Sequence, residues 1–158
     1  MNEEIPFFED KDYPAIEGVK TVERDNVNVI VLNPEGDKVL CLEWNEFDWK
    51  TLVIGGVDGL DLITASKKEV EEETGYSDLD FVCEVGKTRA IYYAGHKKEN
   101  RLANATGMLF RLNSMKQNEV NAEELKKHSY HWIDVGMVDN FINIESQKYL
   151  WNKAKECL

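Results

Sequence analysis

The sequence predicts a mixed α/β domain, and three stretches carry that expectation. Val27, Val29 and Val31 alternate along "NVNVIVLNP", and "KVLCLEW" follows across the turn Pro34-Glu35-Gly36-Asp37. Alternation interrupted by such a turn reads as a strand hairpin. The segment "WKTLVIGG", residues 49–56, is short and apolar and ends in a glycine pair, as a buried strand that stops abruptly would. Leu62 to Thr74 then has helical composition, and Gly75 follows it where a left-handed cap is wanted.

The remaining elements follow in chain order. Residues 1–20 hold two of the three prolines and show no period, so they are expected as an extended arm ahead of one domain over 21–158. "LDFVCEVGK" and "RAIYYAG" read as two strands, and "TGMLFRL", residues 106–112, as another. "AEELKK" reads as a helical turn and "YHWIDV" as a strand, with Asp134 as the expected cap of the turn after it. The tail "ESQKYLWNKAKECL" brings Tyr149, Leu150, Trp151 and Ala154 near one helical face.

Composition bounds the partners. The 158 residues carry a formal net charge of −11, which repels nucleic-acid backbones and anionic membranes. No window is apolar for the length a membrane span needs. The N-terminal "MNEEIPFFEDKDYP" lacks the basic and apolar regions of a signal peptide. Cys41, Cys83 and Cys157 form no metal-ligand spacing and read as reduced thiols of a cytoplasmic protein. A phosphorylated small molecule would need local basic groups or bound metal to approach so acidic a surface.

One helix breaks a local rule. In "KKEVEEETGY", Glu69, Glu72 and Glu73 share a face at spacings of three and four, and Glu71 points away. Like charges one turn apart destabilise a helix, and anions near its C-terminus oppose the macrodipole. A Glu-rich helix is commonly no more than a solvated surface. Here the cluster follows a strand that ends in Gly55-Gly56, and a local conflict in such a setting points to function. A bound divalent ion would supply the compensation, and an oxygen-only ligand set suits Mg²⁺.

The strand, loop and acidic helix together resemble the Nudix hydrolases. Their signature runs Gly, five residues, Glu, seven residues, then Arg-Glu-apolar-x-Glu-Glu-x-Gly-apolar. Lys68-Glu69-Val70-Glu71-Glu72-Glu73-Thr74-Gly75-Tyr76 matches its second half, with Lys68 where the family has Arg. The first half departs. Gly56 to Glu69 is two residues shorter than the signature, Leu60 falls at its first Glu, and Asp61 is the nearest acid, placed for a pair with Lys68. A weaker likeness, running from "VERD" to "KKHSYHWI", is to the Nudix-like domain attached to some bacterial leucyl-tRNA synthetases.

The resemblance implies a Nudix-type α/β/α sandwich with a mixed sheet. It also implies a hydrolase that cleaves the diphosphate of a nucleoside diphosphate linked to another group X. In that reading Glu69, Glu72 and Glu73, with the Gly56 carbonyl, hold Mg²⁺ or Mn²⁺, and the ion activates water. A further carboxylate from a later loop belongs to the pattern. Glu99, Glu119, Glu123 and Glu124 are candidates, and Glu99 is the expected one because it lies in the basic loop "AGHKKENR". His96, Lys97 and Arg101 of that loop, together with Lys68, are expected to meet phosphate. A solvated hairpin turn is the plain alternative. Trp49 is a candidate to stack on a base, against a packing role in the core or a lid. His128 and His131 have no cysteine or third histidine near them in sequence, which argues against zinc. The altered first half leaves a second reading open, a Nudix-fold binding or regulatory module with little hydrolysis. A homodimer is the expected assembly, as the commonest oligomer.

Overall fold

In the computed structural model, which describes residues 4–158, one mixed sheet forms the centre. Its strands are β1 (Phe7–Glu9), β2 (Thr21–Leu32), β3 (Lys38–Trp44), β4 (Lys50–Thr51), β5 (Val53–Gly56), β6 (Leu79–Ala94), β7 (Glu99–Leu112) and β8 (His128–Asp134). The hydrogen-bonded order is β1-β6-β7-β2-β3-β4, with β5 added to β2 and β8 to β3. β1 runs parallel to β6, and β2 parallel to β7, while β6 and β7 are antiparallel. The helices are α1 (Leu62–Thr74), α2 (Ala122–Lys127), α3 (Val138–Phe141) and α4 (Glu145–Lys155).

Alternation along β2 divides the core in two. Val27, Val29 and Val31 face α1 and pack with Ala65, Val70, Met108 and Phe110. Ile30 and Leu32 face the other way and pack with Leu109, Trp151 and Ala154, the last two from α4. Each strand residue thus feeds one of two apolar layers, as the period of two requires. The result is the expected α/β/α sandwich, with α1 on one face and α4 on the other. Trp132 packs against the α1-side core and donates from Nε1 to the Tyr76 hydroxyl at 3.0 Å.

Several elements differ from their sequence expectation. Leu79–Ala94 form one strand where two were expected: pairing with β7 runs unbroken through Lys87, Thr88 and Arg89, across the expected break, and the register shifts that bend the ladder lie earlier, at Phe81/Cys83 and Glu84/Gly86. β7 begins at Glu99, seven residues before the expected start. The expected loop at 94–101 therefore shrinks to a tight turn. The segment 49–56 divides at Leu52, whose N–H leaves the ladder to donate to Gln147 Oε1 at 2.7 Å. Asp134 makes no capping hydrogen bond and instead receives the Lys38 ammonium at 2.7 Å. Within the arm, Phe7–Glu9 pairs with Arg89–Ile91 as an edge strand; residues 1–3 lie outside the described residues. Among the described residues no helix is long and apolar enough to cross a membrane.

Candidate metal and substrate site

The helix that carries the glutamates is fixed at both ends by its own sequence. Asp61 caps its start, accepting from Thr64 N and Thr64 Oγ1 at 2.8 Å each. These bonds hold the Asp61 carboxyl below the usual carboxylate range. Asp61 therefore does not brace Lys68, as its place beside the altered signature suggested. Lys68 lies 3.8 Å from Glu72, one turn on. At the other end Gly75 takes φ 84° and donates its N–H to the Glu71 carbonyl. A side chain there would also overlap the Asn118 carbonyl oxygen, so glycine is required twice over.

Three glutamates on one face meet three environments. Glu72 is exposed, Glu69 is half-buried and Glu73 is only 7% exposed. Burial, then the nearby Glu72 charge, pushes the Glu69 carboxyl up to about 7. Burial, with Glu69, Glu124 and Glu72 around it, pushes Glu73 well above the ordinary carboxylate value. Glu73 Oε2 is buried and receives no hydrogen bond. A buried carboxylate oxygen left without a donor is costly, and a cation is the partner such a group lacks. The donor set present thus fits a divalent ion.

The strand before the helix makes room for this cluster through Gly55. A Cβ on Gly55 would overlap the Glu69 carboxylate, whereas one on Gly56 would meet Asp58. The closest approach of backbone to carboxylate is therefore one residue earlier than the glycine the resemblance singled out.

Glu73 also faces a group that no local spacing revealed. Glu124 on α2 and His128 at the start of β8 bring a carboxylate oxygen and an imidazole nitrogen to it. One ligand atom from each of the three lies within 4.8 Å of the other two. His128 is 3% exposed, its Nε2 is 3.5 Å from Glu124 Oε2, and that nitrogen has no hydrogen-bond partner. Burial lowers the imidazole pKa, which keeps the ring neutral. Sequence reasoning paired His128 with His131, which instead contacts Glu43 at 3.1 Å on β3. Glu124 and His128 are four residues apart, but nothing local ties that pair to Glu73.

The remaining candidates lie elsewhere. Glu99 is buried in an ion pair with Arg101 at 3.1 Å. Asn26 pairs with Gly56 on one side and Ala105 on the other, so Gly56 is level with Ala105. Glu99 stands six residues farther along that strand, about 20 Å at the usual strand rise. His96 and Lys97 are exposed in the tight β6–β7 turn, and the His96 ring lies 5.8 Å from Phe47. Glu119 and Glu123 are exposed.

On the α4 side of the sheet is a cavity of about 170 Å³. Asn26, Asn28, Ile54, Thr88 and Ala105 contribute to its floor, and residues 8–12 and 143–147 border it. Trp49 and Tyr92 also line it, with rings 5.4 Å apart. Trp49 Nε1 and Thr88 Oγ1 are buried without partners. The strand β5 links cavity and carboxylates, since Ile54 lines the first and Gly55 abuts Glu69.

No family model matches the sequence, and no curated protein matches it. Solved structures do match by shape. An Ap4A hydrolase from C. elegans, in a binary complex, is 17% identical with a TM-score of 0.63, over 84% of this chain and 96% of that one. The dihydroneopterin triphosphate pyrophosphohydrolase of E. coli is 16% identical with a TM-score of 0.63, over 84% and 96%. The Nudix domain of Shewanella oneidensis NrtR, complexed with ADP-ribose, is 13% identical with a TM-score of 0.57, over 85% and 88%. With its α/β/α layers and its strand–loop–glutamate helix, this chain has the fold of the Nudix hydrolases.

Proposed function

We propose that the chain is a metal-dependent hydrolase that cleaves the diphosphate linkage of a nucleoside diphosphate joined to another group. The observation that carries the reading is Glu73 Oε2, buried without a donor on the helix face it shares with Glu69 and Glu72. Such an arrangement is destabilising in the absence of a cation. Glu69, Glu72 and Glu73 would hold Mg²⁺ or Mn²⁺, with a backbone carbonyl of the Gly55-Gly56 exit close by. When bound, the ion neutralises phosphate oxygens and makes water more acidic.

The residues of the chain do the rest. Glu69, half-buried against Gly55, is placed as a ligand whose carboxyl the ion would hold ionised. Lys68 adds positive charge beside Glu72. The cavity with Trp49, Tyr92, Asn28 and Thr88 suits a flat, polar group such as a base. Arg101 is engaged by Glu99, and His96 and Lys97 lie in the turn beyond it, farther from Gly56, so they are proposed to meet an outlying part of the substrate and not the diphosphate at the ion. Glu124, beside Glu73, takes over from Glu99 as the further carboxylate of the site. The names of the similar structures, among them Ap4A hydrolase and a triphosphate pyrophosphohydrolase, support the substrate class. The setting is proposed to be cytoplasmic, with a homodimer as the working assembly.

A binding module is the second reading. It is favoured by Leu60, 38% exposed where the signature has Glu, and by Asp61, whose oxygens are engaged in capping. Neither braces Lys68. Calorimetric titration of Mn²⁺ and Mg²⁺, with and without ADP-ribose, tests the metal-dependent reading. Saturable uptake that Glu72→Gln abolishes supports it, and no uptake even with the nucleotide refutes it.

A further inference from the structure

We infer that Glu73, Glu124 and His128 form a mixed nitrogen–oxygen cation site that takes a transition-metal ion in preference to Mg²⁺. The inference rests on the metal-dependent reading only in that Glu73 and Glu124 belong to both sets.

Three elements supply the ligands. Glu73 comes from the last turn of α1, Glu124 from α2 and His128 from the first position of β8. Strand pairing holds His128 in place, since its residue is opposite Trp44 in the β3–β8 ladder and the two rings lie 5.0 Å apart, edge to face. Two of the three groups are more than nine-tenths buried, and each has a polar atom without a partner, Glu73 Oε2 and His128 Nε2. Two buried side chains, each with an unpaired polar atom, converge with a third carboxylate so that one ligand atom of each lies within 4.8 Å of the others, the arrangement a cation would complete.

A protein-only explanation fails on one atom. A proton on His128 Nε2 shared with Glu124 would satisfy that contact at 3.5 Å, but it would leave Glu73 Oε2 without a donor. The nearest cationic side chain in the group, Lys127, lies 3.4 Å from the other Glu124 oxygen and is itself more than half exposed. One ion meets all three groups at once.

The ligand types decide which ion. Mg²⁺ wants a near-octahedral set of oxygens and keeps several waters. An imidazole nitrogen with carboxylates suits Mn²⁺, Co²⁺ and Zn²⁺, whose affinity for nitrogen donors exceeds that of Mg²⁺.

The test uses the full chain, freed of metal and titrated separately with Co²⁺ and Mg²⁺. Calorimetry gives the affinities, and NMR of the Co²⁺ form gives the ligand identity. Co²⁺ should bind at least about tenfold more tightly than Mg²⁺, and a paramagnetically shifted imidazole N–H should appear. H128Q should abolish that signal and cut Co²⁺ affinity about 10–100-fold, with Mg²⁺ affinity changed less than about threefold. Glu124→Gln, on a less buried side chain, should weaken Co²⁺ in the same way and guards against misfolding of the histidine variant. Thermal melting verifies that both variants fold. Equal affinity for the two ions overturns the inference. So does Co²⁺ affinity unchanged in both variants but lost in Glu72→Gln, which leaves the hydrolase reading standing. No uptake of either ion, with or without ADP-ribose, overturns both.

Discussion

At the scale of single residues, stability and the proposed metal role pull in opposite directions at Glu73. Its carboxyl is buried, surrounded by other acids and without a donor. Replacing it with glutamine removes a charge that the metal-free fold disfavours. Glu73→Gln should therefore raise the metal-free Tm at pH 8, by about 2–4 °C per kcal/mol recovered, while abolishing metal uptake. A lower Tm by calorimetry would mean that the carboxylate is satisfied by something else. Gly55 is the converse case, a residue whose importance lies in what it omits. Gly55→Ala would push the Glu69 carboxylate off its place. It should weaken Mn²⁺ binding about tenfold or more, measured by calorimetry, while the far-ultraviolet circular dichroism stays unchanged.

At the scale of elements, α1 is the part most fully written in the sequence. Its bounds, its Gly75 terminator and its glutamate face could all be read locally, because caps and helical period are local properties. The role of Asp61 was obscured by the family pattern, which suggested a partner for Lys68; Thr64, three residues on, marked it as a cap. Asp61→Ala should lower stability as a lost N-cap does, seen as a lower midpoint in urea at unchanged slope. The convergence of Glu124 and His128 on Glu73 was not legible. It depends on β8 pairing with β3, across more than eighty residues, and no local spacing encodes that register. The length of β6 was missed for a related reason. The expected break fell at Thr88, and only pairing with β7, which sets Thr88 opposite Ala105, carries the ladder through it.

At the scale of the whole molecule, the two-layer core was legible because β2 alternates cleanly, while the cavity on the α4 side was not, since its walls come from distant segments. The acidic cluster also gives the fold a pH signature. In the unfolded chain Glu69 titrates near 4.5, and in the fold near 7, with Glu73 raised as well. The fold thus binds more protons than the unfolded chain in that window, and stability falls as pH rises through it. His128 opposes this from about pH 7.5 downward, because the unfolded imidazole takes up its proton around 6.5 and the folded one only at lower pH. From about pH 8.5 down to 7.5 the carboxylates act alone, so the metal-free Tm should rise on acidification there, and saturating Mn²⁺ should reverse that slope. The net charge of −11 repels a diphosphate unless local basic groups or a bound ion offset it. The most direct measurement is product release from ADP-ribose and dinucleoside polyphosphates, with Mn²⁺ or with chelator, in the wild type and Glu72→Gln. The account predicts turnover that needs the metal and falls about a hundredfold or more in the variant. Turnover indifferent to both, or none on any of these substrates with metal present, would contradict it.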